Sequence, residues 1–190
     1  ITLISGAALA FCAEMLKEGV NDDPESREFY CEVIMDEAGK MNRMVKNLLA
    51  LNQLEFGEDD VQFERFDITS LISGVLQSLD ILIEQKEAQV IFRHKNPVYV
   101  WADEFKVEQV VRNYVNNALN HIDGEKVIEI KITQENDMAK ITVFNTGTPI
   151  PEEDLPHIWE KFYKVDKART REYGGNGIGL SIVKAIMDSF

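Results

Sequence analysis

Three glycines at alternating positions, Gly175, Gly177 and Gly179, lead straight into an apolar helical pattern of Leu180, Val183, Met187 and Phe190. Bare α-carbons at every second position let backbone N–H groups close around phosphate oxygens. The helix that follows turns its positive dipole end toward the same charge. Just upstream stand Lys161, Lys164, Lys167, Arg169 and Arg171, a quarter of the 20 basic residues packed into a short stretch. The chain as a whole carries 33 acidic residues and a net charge of −13, so this cationic cluster runs against the bulk. Together these features point to a nucleoside triphosphate site. The bulk charge argues against nucleic acid or an anionic membrane surface as the main partner.

At 190 residues the chain has room for one medium domain or two small ones. Cys12 and Cys31 provide no disulfide framework and suit a reducing cytosol, where two buried free thiols are expected rather than a bridge. No apolar run approaches the ~20 residues that span a bilayer. Neither a signal-peptide pattern nor a lipidation motif occurs, so membrane anchoring would come from sequence outside this chain.

Composition changes near residue 60. Residues 1–56 read as two helices, Ile1 to about Lys17 and a second that begins with Asp23 as cap and Pro24 at the first helical position. The seam Ile34, Ala38, Met41, Val45, Leu48 advances by heptad spacing, and Met44, Leu51 and Leu54 widen it. Two helices cannot bury so wide a stripe against each other, so pairing with a second copy as a four-helix bundle is expected. Packing on the rest of the same chain is the alternative. Gly57-Glu58-Asp59-Asp60 is a plausible hinge. Beyond it, strands are expected at Val61–Phe66, Gln89–Arg93, Val98–Trp101, Val127–Thr133 and Ala139–Phe144, with Glu135-Asn136-Asp137 turning between the last two. Helices are expected at Ile68–Glu84, Asp103–Ile122 and Gly179–Phe190. The stretch from Thr146 to Gly177, with a short helical possibility near Glu152–Lys161, has the length of a lid or binding loop.

The helix after Asp103 carries Asn113, Asn116, Asn117 and Asn120. Asparagine is a poor interior helix residue because its amide competes for the backbone, so a dense run of it marks function more often than stability. Positions 113, 117 and 120 fall on one face, and their amides can converge on a cleft. Asn117 can offer a carbonyl oxygen to Mg²⁺, which keeps several waters and takes phosphate oxygens for the rest. A solvated polar face is the simpler alternative.

These elements, in this order, resemble the ATP-binding domain of sensor histidine kinases, from the superfamily shared with gyrase and Hsp90. Asn113-Tyr114-Val115-Asn116-Asn117-Ala118 resembles the asparagine box, and Asn145-Thr146-Gly147 the first glycine box. Trp159-Glu160-Lys161-Phe162-Tyr163-Lys164 resembles the phenylalanine box. Gly175-Asn176-Gly177-Ile178-Gly179-Leu180 resembles the second glycine box, and the lead-ins Phe66-Asp67-Ile68 and Trp101-Ala102-Asp103 fit as well. The likeness implies an α+β chain: an N-terminal helical hairpin, a four-helix bundle on dimerisation, then an α/β sandwich with a mixed sheet and an ATP lid. It implies a dimerisation and phosphoacceptor domain over residues 1–57 and an ATP-binding catalytic domain over 61–190.

By the same likeness Asn113 is the catalytic position. It stands where the ATPase relatives carry a glutamate that activates water, and an amide is a poor general base, which suits a kinase. Asn117 would bind Mg²⁺ and nucleotide, and Asn145 would accept from the adenine amino group, with Gly147 permitting close approach to the base. Asn120, His121, Tyr163, Lys164, Arg169, Gly175, Gly177, Gly179 and Leu180 complete the implied nucleotide site. The implied cofactors are ATP and Mg²⁺. The implied partners are a second copy through the hairpin and a response-regulator receiver domain that takes the phosphoryl group onto aspartate, with no nucleic acid and no membrane contact. The implied location is the cytoplasmic portion of a membrane-anchored bacterial sensor.

Departures from the family pattern bear on activity. Asn145 replaces aspartate and Pro149 replaces the second glycine of the first glycine box; Asn120 stands where a basic residue usually contacts phosphate, and Asn176 where threonine is common. A neutral acceptor at 145 is weaker than a carboxylate, by roughly 1 kcal/mol on the scale of a net hydrogen bond. The hairpin lacks the His-Glu box and following Thr-Pro of a phosphoacceptor. His94 and His157 lack those neighbours too. The family's final strand hairpin would follow Phe190, so a fragment of a longer kinase is expected, unable to autophosphorylate alone. The competing expectation is a degenerate nucleotide-sensing or dimerisation module without kinase activity. A gyrase-like ATPase is disfavoured by Asn113, and a phosphate-loop ATPase by the absence of Gly-x-x-x-x-Gly-Lys-Ser/Thr. No His, Cys, Asp or Glu spacing indicates zinc.

Overall fold

The computed structural model of the chain describes residues 2–19, 23–56, 61–94, 96–165 and 177–190. Two compact units divide between Ala50 and Leu51. The first contains α1 (Thr2–Glu18) and most of α2 (Pro24–Phe56). Asp23 caps α2: its carboxylate accepts the Ser26 N–H at 2.9 Å and the Ser26 hydroxyl at 2.7 Å, and these bonds hold it below the usual carboxylate range. Cys12 is buried but Cys31 is exposed, both as free thiols. Two buried thiols were expected; Cys31 instead shares the outward stripe of α2 with Glu28 and Met35. The expected hinge at residues 57–60 lies outside the described residues.

The second unit is built on two small sheets. In one, β1 (Glu64–Asp67) pairs antiparallel with β3 (Tyr99–Ala102). In the other, β2 (Gln89–Phe92) runs parallel to β4 (Val127–Glu135), and β4 runs antiparallel to β5 (Met138–Asn145), which makes this sheet mixed. Asn136 and Asp137, at φ 51° and 61°, form the two-residue turn between β4 and β5. Paired left-handed residues match the twist of a tight hairpin, and asparagine and aspartate tolerate them best. Along β4, Ile128 and Ile130 are buried while Glu129 and Lys131 pair at 2.7 Å on the outer face. That alternation is the mark of a sheet with one wet side.

Helices cover the inner face. Strands β1 and β3 each lead into an aspartate that caps the next helix. Asp67 caps α3 (Ile68–Ser78) through the Thr69 N–H at 3.0 Å, and Asp103 caps α5 (Glu104–His121) through the Lys106 N–H at 3.0 Å. The core joins Ile68, Ile72 and Val75 of α3, Val111, Val115, Ala118 and Leu119 of α5, and Ile128 and Ile130 of β4. One helix was expected over Ile68–Glu84. The chain instead breaks at Leu79 (φ −107°, ψ 5°) and restarts as α4 (Asp80–Gln85). The Ser78 hydroxyl donates to Val75 O at 2.7 Å and accepts from Arg112 of α5 at 3.0 Å, and neither glycine nor proline marks the break. The last helix, α6 (Gly179–Ser189), buries Ile182, Val183 and Ile186 and packs on α5. Met187 and Phe190, expected on its apolar face, are exposed.

Candidate functional site

Asn113 is where the two halves of the expected site meet. Its Nδ2 donates to the Gln109 carbonyl one turn back at 2.9 Å, so Oδ1 is turned outward from its own helix. A Cβ added to Gly179 would lie 3.1 Å from that Oδ1. The asparagine face of α5 and the opening turn of α6 are therefore in contact through a bare α-carbon. Leu180, in that same first turn, is half-buried. Asn117 and Asn120 are half-buried too, and neither amide has a hydrogen-bond partner among the described residues. Amides left in that state suit an oxygen-rich ligand or a hard cation.

The far end of α5 is tied to the end of β5. Thr146 accepts the Val127 N–H through its hydroxyl at 2.9 Å, and its carbonyl accepts the Asp123 N–H at 3.0 Å. Asn145 Nδ2 donates to Thr146 O at 3.1 Å and to His121 O at a long 3.5 Å. With two carbonyls on that side, the amide must present Oδ1 on the other, as an acceptor. Gly147 has φ 151°, and a Cβ there would come 2.4 Å from His121 O; the tight passage admits no side chain. His121 itself contributes its carbonyl here, and the residue is otherwise exposed.

Lys164 is half-buried without an anionic partner among the described residues, and desolvation alone holds its ammonium below the ordinary lysine range. A cation kept in that condition gains from an incoming phosphate. Tyr163 is engaged within its own segment: its hydroxyl donates to Asp154 and its ring lies against His157 at 5.4 Å. Gly177 (φ 65°) sits against Phe162, whose N–H donates to Gly177 O at 2.7 Å. Arg169 and Gly175 lie outside the described residues. The expected short helix over Glu152–Lys161 is a succession of turns. Asp154 and Glu160, absent from the expected site, belong to this turn segment. Their signal in the sequence is three-residue spacing through Pro151, Asp154, His157, Glu160 and Tyr163. A separate cleft of about 620 Å³, lined by Trp159, Lys184, Ala185 and Asp188 among others, includes none of the asparagines or site glycines. Among the described residues no three His, Cys, Asp or Glu side chains converge as metal ligands.

Residues 102–190 match the family described as histidine kinase-, DNA gyrase B- and HSP90-like ATPase. The sensor histidine kinase WalK of Bacillus subtilis is 31% identical over 180 residues, 93% of this chain and 29% of WalK. The chain thus spans under a third of that relative's length. Histidine kinase AdeS of Acinetobacter baumannii superposes with a TM-score of 0.76 at 19% identity, over 98% of this chain and 84% of AdeS. Histidine kinase ThkA, solved in complex with response regulator protein TrrA, superposes with a TM-score of 0.70 at 23% identity, over 86% of this chain and 48% of ThkA.

Proposed function

We propose, from the match of residues 102–190 to the histidine kinase-, DNA gyrase B- and HSP90-like ATPase family, that this chain is the kinase core of a two-component sensor. The second unit binds Mg·ATP and donates the γ-phosphoryl group to a histidine on a long helix, from which it passes to an aspartate of a response regulator. The observation that carries this is the contact between the Asn113 amide and the bare α-carbon of Gly179. It sets amides of one helix beside the N-terminal turn of another, where backbone N–H groups favour phosphate.

The residues fit ATP and Mg²⁺. Asn145 offers a fixed acceptor to the base amino group, and Gly147 leaves room for its plane. Asn117 would hold Mg²⁺ together with phosphate oxygens and water. Mg²⁺ when bound neutralises phosphate charge. Lys164 adds positive charge, Gly177 and Gly179 let the main chain approach, and by family likeness Arg169 and Gly175 would join them. Asn113 cannot activate water as a carboxylate would, which keeps ATP for transfer rather than hydrolysis.

Dimerisation through the first unit is part of the same proposal. Val45 and Leu48 of the heptad seam are 53% and 45% exposed, and the stripe gains by meeting a second copy. The first unit holds no histidine, so the accepting histidine is not among residues 1–50. Among the described residues no helix is long and apolar enough to cross a membrane; a cytoplasmic position beneath a membrane anchor is proposed from the likeness. Calorimetric titration of the chain and of Asn117→Asp with Mg·ATP tests the site. The native chain is expected to bind, and the variant to keep its fold while its affinity changes. No binding by the native chain would favour the degenerate module without kinase activity that Asn120, Asn145 and Pro149 support, and unchanged affinity in the variant would remove the metal assignment.

A further inference from the structure

The turn segment before Lys164 holds a polar cluster that the nucleotide site leaves unused. Backbone amides there bond in steps of three: Asp154 N–H to Pro151 O at 3.0 Å, His157 to Asp154 O at 2.9 Å, Glu160 to His157 O at 2.9 Å, and Tyr163 to Glu160 O at 3.3 Å. A three-residue repeat brings every third side chain to one edge. The side chains at 154, 157, 160 and 163 do meet. His157 Nδ1 lies 2.7 Å from Glu160 Oε1, the His157 and Tyr163 rings are 5.4 Å apart at 33°, and the Tyr163 hydroxyl donates to the Asp154 carboxylate.

Between Glu160 and Lys164 the chain reverses at Phe162, a bulky residue held left-handed at φ 65°. Such a conformation persists only where its surroundings over-determine it. One constraint is Gly177: the Phe162 N–H bonds its carbonyl, and a Cβ there would come 2.9 Å from Phe162 C and from Tyr163 O. The other is the bond from Tyr163 to Asp154. The reversal is thus gripped on the side of the glycine run and on the side of the turn segment, with Lys164 as the next residue out.

We propose that Asp154 is a positioning residue for phosphate binding: by holding the Tyr163 hydroxyl it fixes the reversal at Phe162 and so the place where Lys164 meets the phosphates. This rests on the nucleotide site proposed above. It assigns Tyr163 an indirect role, through Asp154, in place of a direct contact with nucleotide.

The test compares Mg·ATP with adenosine, which lacks the phosphates, on the 190-residue chain. Asp154→Ala and Tyr163→Phe should each weaken Mg·ATP by about fivefold, the scale of one net hydrogen bond, and leave adenosine unchanged. The double variant should be no worse than either single one, because both remove the same bond. Asp154→Asn keeps an acceptor and should recover most of the affinity. Equal loss for adenosine, additive loss in the double variant, or unchanged Mg·ATP affinity would each overturn the assignment. Failure of the native chain to bind Mg·ATP would strike the nucleotide site instead. The brace is then read by ultraviolet titration of tyrosine: the Asp154 bond holds the Tyr163 phenol above the usual tyrosine range, and Asp154→Ala should bring one tyrosine down. A titration identical to that of the native chain would overturn the brace by itself.

Discussion

Asn145→Asp restores the residue that the family pattern carries, and the surroundings of Asn145 make the exchange costly in this chain. The native Nδ2 gives one bond of 3.1 Å to Thr146 O and a long one of 3.5 Å to His121 O. A carboxylate oxygen in that place faces two carbonyl oxygens and donates to neither. Losing the donor costs about 1 kcal/mol, one good hydrogen bond net. Repulsion between the carboxylate and the two carbonyl dipoles, at a half-exposed position of intermediate effective dielectric, adds on the order of another 1 kcal/mol. A deficit of about 1–2 kcal/mol corresponds to a melting temperature roughly 3–6 °C lower for a domain of this size.

The deficit carries a pH signature. The introduced carboxyl, once protonated, donates again to Thr146 O, so its folded-state pKa rises above the unfolded value. Its stabilising contribution is then fully present below the unfolded pKa and is lost as pH rises through the folded one. The gap between variant and native melting temperatures should therefore be widest near pH 8 and narrow toward about pH 4.5. Asn145→Ala is the control, since it removes the donor without adding charge and should show a gap of about 1 kcal/mol that does not change with pH. Thermal melts followed by circular dichroism read all three proteins. An Asn145→Asp chain as stable as the native one at pH 8, or a gap independent of pH, would refute the orientation assigned to this amide.

Gly179→Ala places a Cβ 3.1 Å from Asn113 Oδ1. Fold stability should change by less than about 1 kcal/mol, because alanine's better helix propensity offsets the crowding, while Mg·ATP affinity falls at least tenfold in calorimetry. Lys164→Met should weaken Mg·ATP and reduce the salt dependence of binding, read by titration across ionic strength. In the native chain desolvation lowers the Lys164 ammonium from the ordinary lysine range and a phosphate would raise it again, so proton uptake on Mg·ATP binding should grow as pH is raised, seen as a buffer-dependent binding enthalpy. Val45→Asp with Leu48→Asp puts charge on the exposed seam and should shift a dimer to monomer in light scattering, leaving the melting of the second unit unchanged.

What was legible in the sequence was local chemistry. Asp23 and Asp103 could be read as helix starts, because an N-cap needs only a carboxylate and the amides two or three residues on. Asn136-Asp137 could be read as a turn because few residue types tolerate two consecutive left-handed conformations. The glycine alternation and the asparagine run were visible for the same reason. The break at Leu79 was not, since neither glycine nor proline marks it, and Ser78 beside it is bonded by Arg112, 34 residues away. Nor was the direction of the Asn145 amide, set by a carbonyl 24 residues distant. Tyr163 is the instructive intermediate. Motif order placed it beside Lys164 and so with the nucleotide, yet its hydroxyl is claimed nine residues back by Asp154. A motif specifies which residues are present, whereas hydrogen-bond competition decides which of them remain available to a ligand. At this site the residues whose polar groups the described protein has not engaged, Asn117, Asn120 and Lys164, are those with most to gain from binding.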